Sequence, residues 1–113
     1  MQEVVIVDGV RTPIGAYGGT LSGVRPDDLL AITYKALVER AGIDPGLIDD
    51  VYAGCSNQSG EDNRNVARMS ALLAGFPSSV PGVTINRLCS SALESVNLAA
   101  KSILAGEVSI CLG

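Results

Sequence analysis

The 113-residue sequence predicts an α/β domain with a mainly parallel sheet, helices on both faces and the element order βαβαβαβ. Short apolar runs rich in β-branched residues alternate with segments whose apolar residues recur at helical spacing. Glycine, proline and acidic residues stand at the boundaries between them. The chain reaches Gly113 directly after a predicted strand, with no closing helix. We therefore expect residues 1–113 to be a truncated piece of a longer protein.

The first two predicted elements are a strand and a helix. Val4–Val7 is a β-branched run followed by Asp8 and Gly9, which is typical of a strand covered on both faces. A glycine-rich loop comes next, and Pro26 suits the first position of the first helix. The glycines of this loop match neither the P-loop spacing nor the dinucleotide-binding spacing, so we interpret them as loop geometry rather than as a phosphate site.

The remaining elements alternate in the same way. Asp50–Cys55 is the second predicted strand, and a second helix runs through Val66 to Leu73. Val80–Ile85 and Val108–Leu112 are the third and fourth predicted strands, with the third helix between them. The apolar positions of that helix are Leu93, Val96, Ala100, Ile103 and Leu104. Each of the three helices is predicted to end at a glycine, in order Gly42, Gly75 and Gly106.

The composition argues against several classes of function. Charged residues make up 18% of the chain, below the roughly 25% of typical soluble domains, which predicts faces covered by another domain or subunit. A net charge of −4 and the lack of a basic cluster argue against nucleic acid. Three cysteines, no histidine and no Cys-x-x-Cys pair argue against a disulfide framework and a zinc site. No apolar run suits a signal peptide or a membrane helix, so we expect a cytoplasmic protein.

Cys89 is the candidate nucleophile. It follows a polar turn and is predicted to open the third helix. The N–H groups of a helix's first turn have no intrahelical partner and carry the positive end of the helix dipole, so they favour a thiolate. Ser91 and Glu94 have the spacing of a capping box at this helix start. The alternative is that Cys89 is a small buried hydrophobe, which is how we interpret the strand residues Cys55 and Cys111.

Three segments of the sequence resemble the thiolases, the acyl-CoA:acetyl-CoA C-acyltransferase family. They are Arg11–Gly15 together with Gly18, Gly19 and Leu21, then Asn63–Arg68, and Pro81–Ser91. The last contains the run Asn-Arg-Leu-Cys-Ser-Ser and is the most specific. The resemblance extends over essentially the whole chain and implies a thiolase-like half-fold. By the same resemblance, residues 1–113 are an incomplete N-terminal thiolase domain without the loop domain and the C-terminal domain.

The resemblance implies that Cys89 accepts the acyl group and that its backbone N–H forms part of an oxyanion hole. The thiolate would attack an acyl-CoA or 3-ketoacyl-CoA thioester, and the second substrate would then take the acyl group. Family members complete the site with Gly-His-Pro, Asn-Glu-Ala-Phe and Cys-x-Gly-Gly-Gly segments, none of which occurs here, so the fragment alone is expected to be inactive. The family further implies fatty acid metabolism, coenzyme A thioesters as substrates, no bound cofactor and a homo-oligomer, either a dimer or a tetramer.

Two alternatives to a thiolase and one departure from the family pattern stand beside this interpretation. A decarboxylating ketoacyl synthase shares the fold and the helix-opening cysteine, although the Arg-Thr-Pro and Asn-Arg-Leu-Cys-Ser-Ser runs favour a thiolase. A structural module without turnover is the other alternative.

Ala92 stands where thiolases usually carry glycine, which affects the expected substrate preference. Arg64 and Arg68 could bind an anion, but salt bridges explain them equally well.

Overall fold

The computed structural model describes residues 2–113, apart from the side chain of Asp62. In chain order the elements are α1 (Pro26–Ala41), β1 (Asp50–Gly54), α2 (Val66–Leu73), β2 (Val83–Ile85), α3 (Ser91–Leu104) and β3 (Cys111–Leu112). The three strands form one parallel sheet in the order β2–β1–β3. The predicted α/β class with a parallel sheet is therefore confirmed.

The helices lie on both faces of the sheet, as predicted. The chain crosses from β1 to β2 through α2 and returns past β1 to β3 through α3, and right-handed crossovers in opposite directions place these helices on opposite faces. Side chains along β1 alternate accordingly. Val51 and Ala53 are buried in the core with α1 and α2, whereas the Tyr52 hydroxyl donates a hydrogen bond of 2.9 Å to Ser102 of α3.

The hydrophobic core lies between β1, α1 and α2. The rings of Tyr34 and Phe76 stack within it with centroids 5.9 Å apart. Burial raises the pKa of the Tyr34 hydroxyl, because the phenolate would lose its hydration. The other buried members are Val38, Ile48, Val51, Ala53, Val66, Ala67, Ala71, Val80 and Leu112.

The first turn of α3 packs directly on the backbone of β1 at Gly54. A Cβ atom at Gly54 would lie 2.2 Å from the backbone nitrogen of Ala92 and 2.2 Å from the carbonyl carbon of Ser91. Such distances are shorter than any real contact, so only glycine allows this approach. Gly54 thereby determines how close the start of α3 lies to the sheet.

The predicted helix ends are confirmed. Gly42, Gly75 and Gly106 have φ angles of 68°, 83° and 79° and follow α1, α2 and α3. These angles belong to the left-handed region, which glycine adopts without steric cost and which commonly ends a helix.

The predicted first strand is wrong for this structure. Val4–Val7 is not part of the sheet, and Val5, Ile6 and Val7 expose 66%, 82% and 80% of their surface. A strand is held by hydrogen bonds to a neighbouring strand, and the three-stranded sheet does not extend to this segment. The order within the described residues is therefore αβαβαβ.

The other strands are shorter than predicted. Asp50–Cys55 ends one residue earlier at Gly54, Val80–Ile85 begins at Val83, and Val108–Leu112 contracts to Cys111–Leu112. The apolar residues Val80 and Val108 extend the hydrophobic runs into connecting segments, because burial alone does not make a residue pair with the sheet.

Candidate active site

Cys89 lies in a single 3-10 turn, Leu88–Ser90, directly before α3. The prediction that Cys89 opens the α-helix is thus corrected, because the α-helix begins two residues later at Ser91. The preceding turn is tighter, with the Ser90 N–H donating to the Arg87 carbonyl oxygen at 3.1 Å. Cys89 is exposed, which excludes the interpretation as a buried hydrophobe in this structure.

The residue before the cysteine has a left-handed backbone. Leu88 has a φ angle of 52°, a region that non-glycine residues occupy only at a steric cost. The residue is 70% exposed, so packing contributes little to holding it. Its N–H instead donates a 2.8 Å hydrogen bond to Oδ1 of Asn86.

Ser91 contacts the backbone of the same turn twice. Its buried Oγ accepts from the Arg87 N–H at 2.9 Å and donates to the Leu88 carbonyl oxygen at 2.6 Å. The predicted capping box is wrong, because Ser91 is the first helical residue and Ser90 takes the N-cap position without a side-chain cap. Glu94 instead forms an ion pair of 3.3 Å with Nε of Arg87. We refer to residues 86–91 as the Cys89 turn.

The Cys89 turn is connected to the loop that follows β1. Nδ2 of Asn86 donates to the Ser56 carbonyl oxygen at 3.1 Å. Later in that loop, Asn63 and Arg64 have left-handed φ angles of 55° and 61°. With Gly60 they line an open concavity of about 300 Å³.

A buried carboxylate holds the other end of this loop. Asp27, in the first turn of α1, accepts from Nδ2 of Asn63 at 3.0 Å and from Nε of Arg25 at 3.2 Å. Burial raises the pKa of the Asp27 carboxyl, but the bonds from Arg25 and the Asp28 N–H outweigh it, so the pKa lies below its usual value. The loop that follows β1 is therefore connected to α1 through Asn63 and to the Cys89 turn through Ser56.

Arg68 is occupied by backbone contacts rather than by the predicted salt bridge or anion. Its guanidinium donates to the carbonyl oxygens of Val80 and Ser78. Asn65 caps α2, accepting from the Arg68 N–H at 3.3 Å and from the Thr84 hydroxyl at 2.8 Å. These contacts join α2 to β2 and give Arg68 a structural role.

Cys55, directly after β1, and Cys111, in β3, differ from Cys89 in their surroundings. The Cys55 thiol is partly buried and donates to the Asn57 carbonyl oxygen at 3.2 Å. Burial, then the charges of Asp50 and Asp49, raise the pKa of the Cys111 thiol to about 11. Cys111 is therefore protonated at neutral pH. Cys89 is exposed, whereas the other two are partly buried, and its role as the nucleophile remains a prediction.

Sequence reasoning missed Asn86 and Ser91 as supports of the Cys89 turn. An asparagine shortly before a helix start is a known signal for a side-chain-to-backbone turn and could have identified Asn86. Ser91 gave no such signal, because its spacing to Glu94 indicated a capping box instead.

Residues 2–113, apart from the Asp62 side chain, contain no metal-ligand cluster and no membrane-spanning helix. Within that range no group of three or more His, Cys, Asp or Glu side chains is placed to hold a metal ion. No helix of the same range is long and apolar enough to span a bilayer. The sequence contains no histidine, so an imidazole that activates Cys89 would come from outside these 113 residues.

Known proteins resemble the chain along nearly its whole length. Residues 4–113 match the family model described as the N-terminal domain of thiolase. A β-ketoadipyl-CoA thiolase from Pseudomonas aeruginosa is 57% identical over 112 residues, covering 98% of this chain and 28% of the relative. A 3-oxoadipyl-CoA/3-oxo-5,6-dehydrosuberyl-CoA thiolase from Escherichia coli is 59% identical over 108 residues, covering 95% of this chain and 27% of the relative.

A solved structure agrees with these relatives. The crystal structure of the acetyl-CoA acetyltransferase of Bacillus anthracis superposes with a TM-score of 0.88 at 40% identity, covering 95% of this chain and 27% of that one. The chain spans little more than a quarter of the length of the relatives it matches.

Proposed function

Since the chain belongs to the thiolase family, we propose that it is the N-terminal thiolase domain of a longer acyltransferase in which Cys89 carries the acyl group. The observation that carries the proposal is the exposed Cys89 on a side-chain-supported turn before α3. The chain spans 28% of the P. aeruginosa relative. In this proposal a loop domain and a C-terminal domain belong to the rest of the protein and complete the active site.

In the proposed cleavage reaction, the Cys89 thiolate adds to the 3-keto carbonyl carbon of a 3-ketoacyl-CoA. The bond between C2 and C3 then breaks, the electron pair stays on C2, and a proton converts that carbanion into acetyl-CoA. The thiol of a second CoA attacks the cysteine thioester, gives its proton to a base and releases the shortened acyl-CoA. The Cys89 N–H would stabilise the oxyanion that forms in each addition.

We propose that the preferred substrate is a 3-ketoacyl-CoA whose acyl chain ends in a carboxylate. The support is that relatives named for β-ketoadipyl-CoA and 3-oxoadipyl-CoA are 57% and 59% identical to this chain. A substrate of this kind carries a terminal charge that an unsubstituted fatty acyl chain lacks.

We also propose a cytoplasmic homo-oligomer. A charged fraction of 18% and the exposed apolar run of Val5, Ile6 and Val7 support faces that are covered in the assembled protein. Sedimentation of the full-length protein as a monomer at all concentrations would contradict this part of the proposal.

The proposed activity is tested by replacing Cys89 with serine in the full-length protein. Cys89→Ser should lower turnover of β-ketoadipyl-CoA with CoA by about 10³-fold or more, and intact-mass spectrometry should detect no acyl adduct. Cys111→Ser is the matched control and should retain turnover within about threefold. Full turnover by Cys89→Ser would refute the proposal, and faster turnover of acetoacetyl-CoA than of β-ketoadipyl-CoA by the wild type would refute the substrate class.

A further inference from the structure

We propose that Ser91 is a positioning residue for the nucleophile, because it holds the left-handed backbone of Leu88 and thereby orients Cys89. This inference rests on the proposed function, which assigns Cys89 as the acyl acceptor. It concerns a residue that contacts the backbone of the Cys89 turn and acts on the reaction only through that backbone.

The left-handed geometry of Leu88 needs support. A leucine with a φ angle of 52° is sterically disfavoured and persists only where the surrounding structure holds it. Because the Leu88 side chain is mostly exposed, the core cannot provide that support. The hydrogen bonds of Asn86 and Ser91 to the backbone of this turn can.

Ser91 is placed to determine the direction of the Cys89 N–H. Its Oγ donates to the Leu88 carbonyl oxygen at 2.6 Å, and that carbonyl belongs to the peptide group that joins Leu88 to Cys89. In a planar trans peptide the C=O and N–H bonds point in opposite directions. Since the carbonyl points at the buried Ser91 hydroxyl, the Cys89 N–H points away from it. This orientation suits an N–H that donates to a developing oxyanion.

The second hydrogen bond of Ser91 closes the turn. Its Oγ accepts from the Arg87 N–H at 2.9 Å, so a single buried oxygen contacts the backbone on both sides of Leu88. Ser91 is itself held by the packing of α3 on Gly54. Ser91 therefore links the backbone of Leu88 to the sheet, so the position of Leu88 does not depend on the solvent-exposed turn alone.

Ser95 provides a matched control on the same helix. It is buried, as Ser91 is, and its Oγ donates to the Ala92 carbonyl oxygen three residues earlier, also at 2.6 Å. The two serines therefore share residue type, burial and the geometry of this bond. They differ in that only the Ser91 bond reaches the peptide group of Cys89.

The test compares Ser91→Ala with Ser95→Ala in the full-length protein. We expect Ser91→Ala to slow Cys89 acylation and iodoacetamide alkylation about tenfold, because a misplaced nucleophile loses its reactive geometry. The loss should fall on kcat rather than on KM. Ser95→Ala should stay within about twofold of the wild type, with a similar decrease in melting temperature. Equal rate losses in the two variants would show that Ser91 is merely a structural helix residue and would overturn the proposal.

A rescue variant separates backbone support from other effects of Ser91. Leu88→Gly in the Ser91→Ala background should restore both rates to within about threefold of the wild type, because glycine adopts the left-handed region without cost. No recovery would overturn the proposal. If Ser91→Ala does not fold, the exposed Asn86→Ala variant is measured with and without Leu88→Gly, and the same recovery is required.

The proposed function and this inference fail in different ways. Turnover by Cys89→Ser would remove the catalytic assignment. The alkylation rate of Cys89 relative to Cys55 reports the geometry of the turn without any turnover, so it tests the role of Ser91 separately.

Discussion

The two ends of α3 both carry a left-handed residue, and they obtain it in different ways. After the helix, Gly106 has a φ angle of 79°, and before the helix Leu88 has a φ angle of 52°. Glycine adopts this region freely, whereas a residue with a side chain does so at about 1–2 kcal/mol. At the start of α3, the Leu88 N–H donates to Asn86 and the Leu88 carbonyl oxygen accepts from Ser91, and these bonds support the disfavoured geometry. The C-terminal end serves the fold, and in the proposed function the N-terminal end also serves the chemistry of Cys89.

The cysteines at these two ends differ accordingly. Cys89 is exposed on the supported turn. Cys111, in the strand that follows α3, is partly buried, and burial together with the charges of Asp50 and Asp49 raises the pKa of its thiol. We therefore expect changes at the start of α3 to alter reactivity and changes beyond its end to alter stability alone.

The largest expected effect comes from adding a methyl group beneath the start of α3. Gly54→Ala would place Cβ 2.2 Å from backbone atoms of α3, and backbone cannot yield as a flexible side chain can. We expect a loss of about 3 kcal/mol or more in the free energy of unfolding, measured by urea titration. Gly9→Ala is the control, since its Cβ would contact nothing within 4 Å. Equal stability of the two variants would contradict the close packing.

A smaller effect should distinguish the two left-handed residues. Gly106→Ala should cost about 1–2 kcal/mol of unfolding free energy, because alanine resists the φ angle in an otherwise open position. Leu88→Gly should change stability by less than about 1 kcal/mol, since relief of the steric cost offsets the greater entropy of the unfolded chain. Urea titration of both variants measures this. A larger loss for Leu88→Gly would show that the leucine side chain, and not the hydrogen bonds, stabilises the turn.

The smallest effect concerns pH and Cys111. The pKa of its thiol is raised from 9.0 to about 11 in the folded chain, so the unfolded chain loses this proton first as pH rises. The associated stability is fully present below about pH 9 and is lost as pH rises through about 11. The melting temperature of wild type should therefore fall more steeply over this range than that of Cys111→Ser. Parallel curves would contradict the raised pKa.

The helix ends were predictable from the sequence, whereas the extent of the sheet was not. Gly42, Gly75 and Gly106 were correctly predicted as helix ends, because a residue that tolerates positive φ is a local signal. Val4–Val7 has the composition of a strand, but pairing depends on a neighbour that composition does not describe. Local signals therefore located the helices and overestimated the sheet.

The sequence indicated the candidate nucleophile but not the hydrogen bonds that support its turn. Cys89 was identified by its place before a helix and by the resemblance of Pro81–Ser91 to thiolases. The left-handed Leu88 has no sequence signature, since leucine is an unusual residue in that region. Ser91 was assigned to a capping box because the spacing to Glu94 is the same whether the serine precedes the helix or begins it.

We expect the supported turn to make Cys89 the reactive thiol of this chain. Native alkylation of the full-length protein with limiting iodoacetamide at neutral pH, followed by mass-spectrometric mapping, tests it most directly. We predict that Cys89 is modified at least about tenfold faster than Cys55 or Cys111, because it is exposed and placed before a helix. Preferential modification of Cys55 or Cys111 would contradict the assignment of Cys89 as the nucleophile.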